Sequence, residues 1–250
     1  MPKSLVTPRH QLVPVADAVV PAHLRAKFAH LKQGDKLGRA QQKEVHQKID
    51  QIPVATLNDK QKENIIKCAN MMNIELLEPM TFTKANERNA NINYKPKSPT
   101  AENCALCIAV YEMRRRGLDI TAKPYDPKNK IMLELQKDYQ KIWLDKNGHA
   151  AQVTKHDDDK KDYLKMKDRM LAQCKVVGRY HIGINWIGGG HVITAERLKD
   201  GTIIFYDPQN GKFVNIDDYA HAYKIDYLES IRVDNIRINE SMLKEIAVPA

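Results

Sequence analysis

The stretch Asn103-Cys104-Ala105-Leu106-Cys107-Ile108-Ala109-Val110-Tyr111-Glu112-Met113-Arg114-Arg115-Arg116-Gly117 decides how this chain is read. From Cys104 to Val110 it is apolar on every side, which predicts a helix over residues 101–116 that is buried all round rather than amphipathic. Arg114, Arg115 and Arg116 fall in the last turn, where cations suit the negative end of the helix dipole, and Gly117 is a natural residue just past the end. The triplet is expected to terminate the helix and lie on a salt-bridged surface, in preference to forming a nucleic-acid patch. Cys104 lies in the first turn, where the positive end of the dipole eases ionisation of a thiol.

The pair Cys104 and Cys107 has competing structural readings. A zinc site needs a second Cys/His pair at ligand spacing, and none follows. A thioredoxin-like redox pair follows a strand, whereas Ser98-Pro99-Thr100-Ala101-Glu102 precedes this one. Two buried thiols one helical turn apart remain as a purely structural reading. The other two cysteines, Cys68 and Cys174, sit in amphipathic segments and read as small core residues.

Downstream of Cys174 the apolar period changes from helical to alternating. Strands are expected at Val176 to Trp186, His191 to Leu198, Thr202 to Tyr206 and Ser230 to Ile238, with Lys199-Asp200-Gly201 as a hairpin turn. His191 opens one arm of that hairpin and Asp207 closes the other, so antiparallel pairing returns the two to one end of the sheet. Gly188-Gly189-Gly190 offers a side-chain-free approach before the histidine. A cysteine at a helix start, a histidine and an aspartate, in that chain order, form a nucleophile, a base and the group that orients the base. Taken singly, each residue also has an ordinary structural reading.

Four short motifs carry a resemblance to a known family. They are Asn103 to Gly117, Gly190 to Glu196, Phe205 to Gly211 and Arg232 to Asn235, with weaker support from Thr81 to Ala85 and Asn91 to Tyr94. In this order they resemble the papain-fold toxin domain, also called the toxin glutamine deamidase domain, which has relatives in phage minor head proteins. The resemblance spans about residues 80–240. It implies an α+β, papain-like (transglutaminase-like) fold, a central helix packed on an antiparallel sheet. It also implies Cys104 as nucleophile, His191 as general base and acid, Asp207 as its orienting partner, and a protein glutamine side chain or peptide as substrate. Backbone N–H groups at the helix start would form half of an oxyanion hole. Papain-type enzymes place a glutamine just before the nucleophile, where this chain has Ser98 and Pro99. Asn103 and Gln209 are the candidates for the second donor, with Gly190 beside the substrate. Mechanism alone does not separate deamidase, protease and transglutaminase.

The remaining composition sets the frame. A chain of 250 residues with 42% hydrophobic content holds a sizeable core, and no run reaches the roughly 18 apolar residues of a membrane span, so no membrane partner is expected. Pro2, Pro8, Pro14 and Pro21 interrupt the N-terminus where a signal peptide would be apolar, so synthesis in the cytoplasm is expected. The excess of 40 basic over 31 acidic residues is spread along the chain, which suits nonspecific nucleic-acid contact more than specific recognition. His156-Asp157-Asp158-Asp159 lies among lysines that oppose a dication, so no metal and no cofactor are expected. Residues 1–35 read as an extended arm whose apolar side chains lie on an assembly partner, 36–79 as a helical segment and 80–250 as the papain-like domain. Within 36–79, helices are expected at Gln41 to Ile49 and from Leu57 onward; residues 130–175 also read as helical. Together with the resemblance, this leaves two functions. One is a cysteine hydrolase resembling protein-glutamine deamidases, for which the resemblance implies a phage particle as one setting. The alternative is a virion-associated structural protein of papain-like fold with little or no activity.

Overall fold

A computed structural model describes residue 50 and residues 57–87, 90–199 and 201–250. In chain order the helical half contains α1 (Asp59–Met72), α2 (Phe82–Glu87), α3 (Cys104–Arg115), β1 (Ile120–Ala122), α4 (Lys130–Leu135) and β2 (Trp143–Leu144). Next come β3 (Thr154–His156), α5 (Tyr163–Gln173), β4 (Gly178–Trp186), β5 (Gly189–Arg197), β6 (Ile203–Asp207) and β7 (Lys212–Phe213). The chain closes with α6 (Asp217–Ala222), β8 (Ile225–Arg232), β9 (Arg237–Ile238), α7 (Glu240–Ile246) and β10 (Ala247–Pro249). The architecture is α+β, and every pairing given a direction is antiparallel. The arm at 1–35 and the helix expected at Gln41 to Ile49 lie outside the described residues. Among the described residues no helix is long and apolar enough to cross a membrane.

The chain divides into two compact units, one built around α3 and one around the sheet. In the first, α3 packs against β1, α2 and α4, and all twelve of its residues are buried. Helix α1 belongs to the same unit and starts with a reciprocal capping box. The Gln61 N–H donates to Asn58 Oδ1, and the Asn58 N–H donates to Gln61 Oε1, each at 3.0 Å. Its buried face carries Ile65, Cys68 and Ala69 together with polar Gln61 and Asn64. Those two amides donate to the main-chain oxygens of Asp234 (2.7 Å) and Ile238 (3.0 Å), so each is satisfied where it is buried. Ile66, next to the buried Ile65, is 48% exposed.

The three arginines depart from the surface role expected of them, since each is 2% exposed or less. For Arg114 and Arg116 burial is tolerated because partners surround them. Arg114 donates to Asp119 Oδ1 (2.7 Å) and to the carbonyls of Ala85 and Ile120. Arg116 donates to Glu112 Oε1 (2.8 Å), Val233 O and Ile236 O, and its guanidinium lies 5.4 Å from the Trp143 ring centre. Residue composition marks a cation as surface-bound; the carbonyls of Ala85, Val233 and Ile236 that help reverse this lie far from the triplet in sequence. Gly117 has φ +102°, and a Cβ there would sit 2.2 Å from the Leu77 carbonyl oxygen, so both conformation and space require glycine.

In the second unit one six-stranded sheet runs in the order β3-β8-β4-β5-β6-β7. The long β4–β5 hairpin pairs Gly178 with Arg197 through to Trp186 with Gly189. One face of the sheet carries Tyr180, Ile182, Ile184, Ile193, Ala195 and Phe205, which form a core with Met166 and Met170 of α5 and Tyr219 of α6. Two expectations are corrected in these regions. The strand expected at 230–238 is split, β8 beginning at Ile225 and β9 holding only two residues, because the turn from Val233 to Ile236 interrupts it. Residues 130–175 are helical only at α4 and α5 and, as a four-residue 3₁₀ turn, at Tyr139–Ile142. The aspartates after His156 precede a loop, and Asp162 caps α5.

Candidate active site

The sheet unit brings His191 and Asp207 together by strand register. Thr194 pairs with Tyr206, so one step further Asp207 falls opposite Ile193. His191 and Ile193 are two apart on one strand and share a face, which puts Asp207 diagonally beside the imidazole. His191 Nε2 lies 3.0 Å from Asp207 Oδ2, with Asp207 fully buried and His191 nearly so. A carboxylate accepts there, so Nε2 carries the proton and Nδ1 is the basic nitrogen. The imidazole face packs on Tyr219, ring centres 5.7 Å apart and planes 26° from parallel.

Gly190, expected to leave room for substrate, has a nearer reason to be glycine. A Cβ there would meet Asn185 Oδ1 at 3.0 Å and the Ile184 carbonyl at 3.2 Å across the hairpin. Gly188, at the turn with φ +83°, has nothing within 4 Å of that direction.

The helix unit holds Cys104, Asn103 and Gln209. Cys104 is the first residue of α3, and Asn103 occupies the capping position without capping the helix through its side chain. Its carboxamide is used elsewhere: Nδ2 donates to Lys123 O (2.8 Å), and Oδ1 accepts from Asn91 Nδ2 and from the Cys107 thiol, both at 3.2 Å. That last bond engages Cys107 inside the helix and separates its role from that of Cys104. Asn91 also donates to Thr100 O (2.7 Å) and Gln209 O (3.0 Å), tying the helix entry to the segment Pro208–Gly211.

The cap comes from Gln209. Backbone N–H groups of Asn103 and Cys104 point at one terminal atom of its carboxamide, at 3.0 and 2.9 Å. Only an oxygen accepts from two N–H donors, so that atom is Oε1. The helix-start N–H groups expected for an oxyanion hole are therefore engaged by Gln209 in this conformation. Gln209 and Asn103 both sit at the Cys104 end of α3, but Gln209 presents an acceptor to those groups.

The four thiols are all buried and unbridged, yet their surroundings differ. Burial in apolar surroundings pushes Cys68 and Cys174 up to about 12. His156, read as part of an acidic cluster, ends β3 with Nε2 2.8 Å from Ser230 Oγ. Burial, and then the nearby Arg169 charge, hold its imidazole below the usual histidine range. Among the described residues no group of three or more His, Cys, Asp or Glu side chains is placed to hold a metal ion.

Sequence reasoning named Asn91 only as the start of a weak motif, not as the hub of the helix entry, and missed Tyr219 as the residue under the imidazole. The partners of Asn91 lie in other segments, and Tyr219 lies in a helix too short for a period to register. Compared with known proteins, the chain matches no family model and no curated protein.

Proposed function

We propose that this chain is a cysteine hydrolase that acts on carboxamides, with protein glutamine side chains as the substrate class its motifs suggest. The observation that carries the reading is the His191–Asp207 pair, a 3.0 Å contact that commits Nε2 and makes Nδ1 the base. Cys104 supports it from the other unit, as the first residue of a twelve-residue helix and the one of the close pair not bonded to Asn103. Asp207 and Gln209 are separated by Pro208 alone, so a single tripeptide carries the imidazole's partner and the helix's cap.

In the proposed reaction His191 Nδ1 takes the Cys104 thiol proton, and the thiolate sulfur attacks the carboxamide carbon. The carbon–nitrogen bond breaks, and the imidazolium returns its proton so that ammonia leaves. A thioester remains on Cys104. Water, deprotonated by His191, then attacks it, giving a carboxylic acid and the free thiol. The carbonyl oxygen carries the developing negative charge and is held by the Asn103 and Cys104 N–H groups. Those groups already hold one primary carboxamide oxygen, that of Gln209, so a substrate carboxamide would exchange with it like for like.

The test is ammonia release from carbobenzoxy-glutaminyl-glycine, with glutamate formation followed by mass spectrometry. The full chain should release ammonia, and Cys104→Ala and His191→Ala should each reduce release to the uncatalysed rate. Release by the full chain that both variants retain, or none above that rate from this probe and from glutamine-bearing proteins, would refute the proposal.

A further inference from the structure

Helix α6 has six residues, far below the length at which an isolated helix holds together in water. It is nevertheless pinned at both ends. At its start Asp217 Oδ1 accepts from the Tyr163 hydroxyl (2.8 Å) and the Lys167 ammonium (2.7 Å), both on α5. At its end Tyr223 stacks on Trp186, with ring centres 4.1 Å apart and planes 11° from parallel. Trp186 closes the β4 arm of the hairpin whose other arm begins at Gly189, two residues before His191. Between the pins stands Tyr219, whose carbonyl accepts from the Tyr223 N–H (2.8 Å) where the helix ends. Its ring, 3% exposed, lies against the imidazole. Two ring contacts thus bracket the helix, His191 on Tyr219 and Trp186 on Tyr223.

We propose that Tyr219 is a positioning residue for His191, an inference that rests on the hydrolase reading above. Asp207 holds the imidazole by its edge at one nitrogen, which leaves the ring able to tilt about that hydrogen bond. A flat aromatic surface against the face removes the tilt and fixes the direction in which Nδ1 presents its lone pair. The two pins on α6 keep that surface from shifting. The role belongs to the ring and not to the hydroxyl, so phenylalanine replaces tyrosine and an aliphatic residue of similar bulk does not.

The full chain and its Tyr219→Phe, Tyr219→Leu and Trp186→Ala variants test this by two readouts. The first is the alkylation rate of Cys104 by iodoacetamide near neutral pH. Tyr219→Phe is expected within about twofold of the parent, Tyr219→Leu slower by about tenfold, and Trp186→Ala slowed in the same direction by less. The second is the nitrogen-15 spectrum of the His191 imidazole, which distinguishes the Nε2-protonated tautomer from a mixture. The parent and Tyr219→Phe should show that single tautomer, and Tyr219→Leu an average of both. A folded Tyr219→Leu protein with parental rate and tautomer overturns the proposal. If Tyr219→Leu does not fold, Trp186→Ala decides, since it leaves Tyr219 in place, and parental values there also overturn it. Should His191→Ala alkylate as fast as the parent, the hydrolase reading falls, and the imidazole spectrum still settles whether Tyr219 orients the ring.

Discussion

Replacing Gln209 tests the arrangement at the Cys104 end of α3 most directly. Gln209→Leu keeps the bulk but removes the oxygen that accepts from the Asn103 and Cys104 N–H groups at 3.0 and 2.9 Å. Asn103 cannot substitute, because its own carboxamide is bonded to Lys123, Asn91 and Cys107. Two N–H groups at a buried helix start then lose their acceptor. Loss of a helix cap costs about 0.5–2 kcal/mol, and a buried orphan donor about 1–3 kcal/mol. The sum expected is about 1.5–5 kcal/mol. At roughly 2–4 °C per kcal/mol for a chain of this size, the melting midpoint should fall by about 3–20 °C. Gln209→Glu keeps two acceptor oxygens and adds a negative charge where the dipole welcomes one, so it should melt within about 3 °C of the parent. Calorimetry or circular dichroism at neutral pH reads both. The carboxylate beside Cys104 disfavours a second negative charge, so Gln209→Glu should also slow alkylation of Cys104 while leaving the fold intact. If glutamate destabilises as much as leucine, Gln209 does not act through an acceptor oxygen and the capping argument is wrong.

Three further outcomes follow from other parts of the molecule. Iodoacetamide at pH 8 should leave Cys68 and Cys174 unmodified in the folded chain, because thiols held up at about 12 are ionised to only about one part in ten thousand; peptide mapping that finds either alkylated as fast as Cys104 contradicts this. Gly117→Ala forces a left-handed alanine and a 2.2 Å approach to the Leu77 carbonyl, a loss of at least about 3 kcal/mol by urea titration, and a loss under about 1 kcal/mol would disprove the contact. His156 has a lowered folded-state pKa, so the unfolded chain binds its proton more readily; its contribution is complete above the ordinary histidine value of 6.5 and disappears as pH falls through the lower folded value. Melting profiles between pH 8 and 5 should therefore fall less steeply for His156→Gln than for the parent, and parallel profiles would exclude His156 as a source of acid sensitivity.

What could be read from sequence divides along physical lines. Local pattern was enough for α3, since seven apolar residues in a row followed by three cations and a glycine permit little else. It was also enough for the hairpin, where alternation and a glycine turn bring His191 and Asp207 to one end of the sheet. Interactions between distant residues were not legible. Nothing near Arg116 announces Val233 and Ile236, and so burial of the arginines could not be anticipated. The same holds for Gln209, whose role as the cap of α3 depends on Asn103 being engaged by Asn91 and Lys123. Spacing also does not tell which of Ile65 and Ile66 faces inward; Ile65 does, alongside amides that a hydrophobicity pattern assigns to solvent. Between Ser230 and Ile238 the residues favour a strand throughout, and the turn that breaks it is set by main-chain bonding from Ile236 to Val233.

The buried arginines also place the molecule's parts in time. A ribosome delivers α3 long before it delivers the carbonyls of Val233 and Ile236, which lie 117 and 120 residues beyond Arg116. At about 5–20 residues per second that interval is roughly 6–24 s, during which Arg116 has Glu112 but not the rest of its cage. The helix bearing Cys104 therefore reaches its final burial only after residues 233–236 have emerged. A chain cut short before residue 231 keeps Cys104 and its helix but leaves a permanent cation without two of its acceptors.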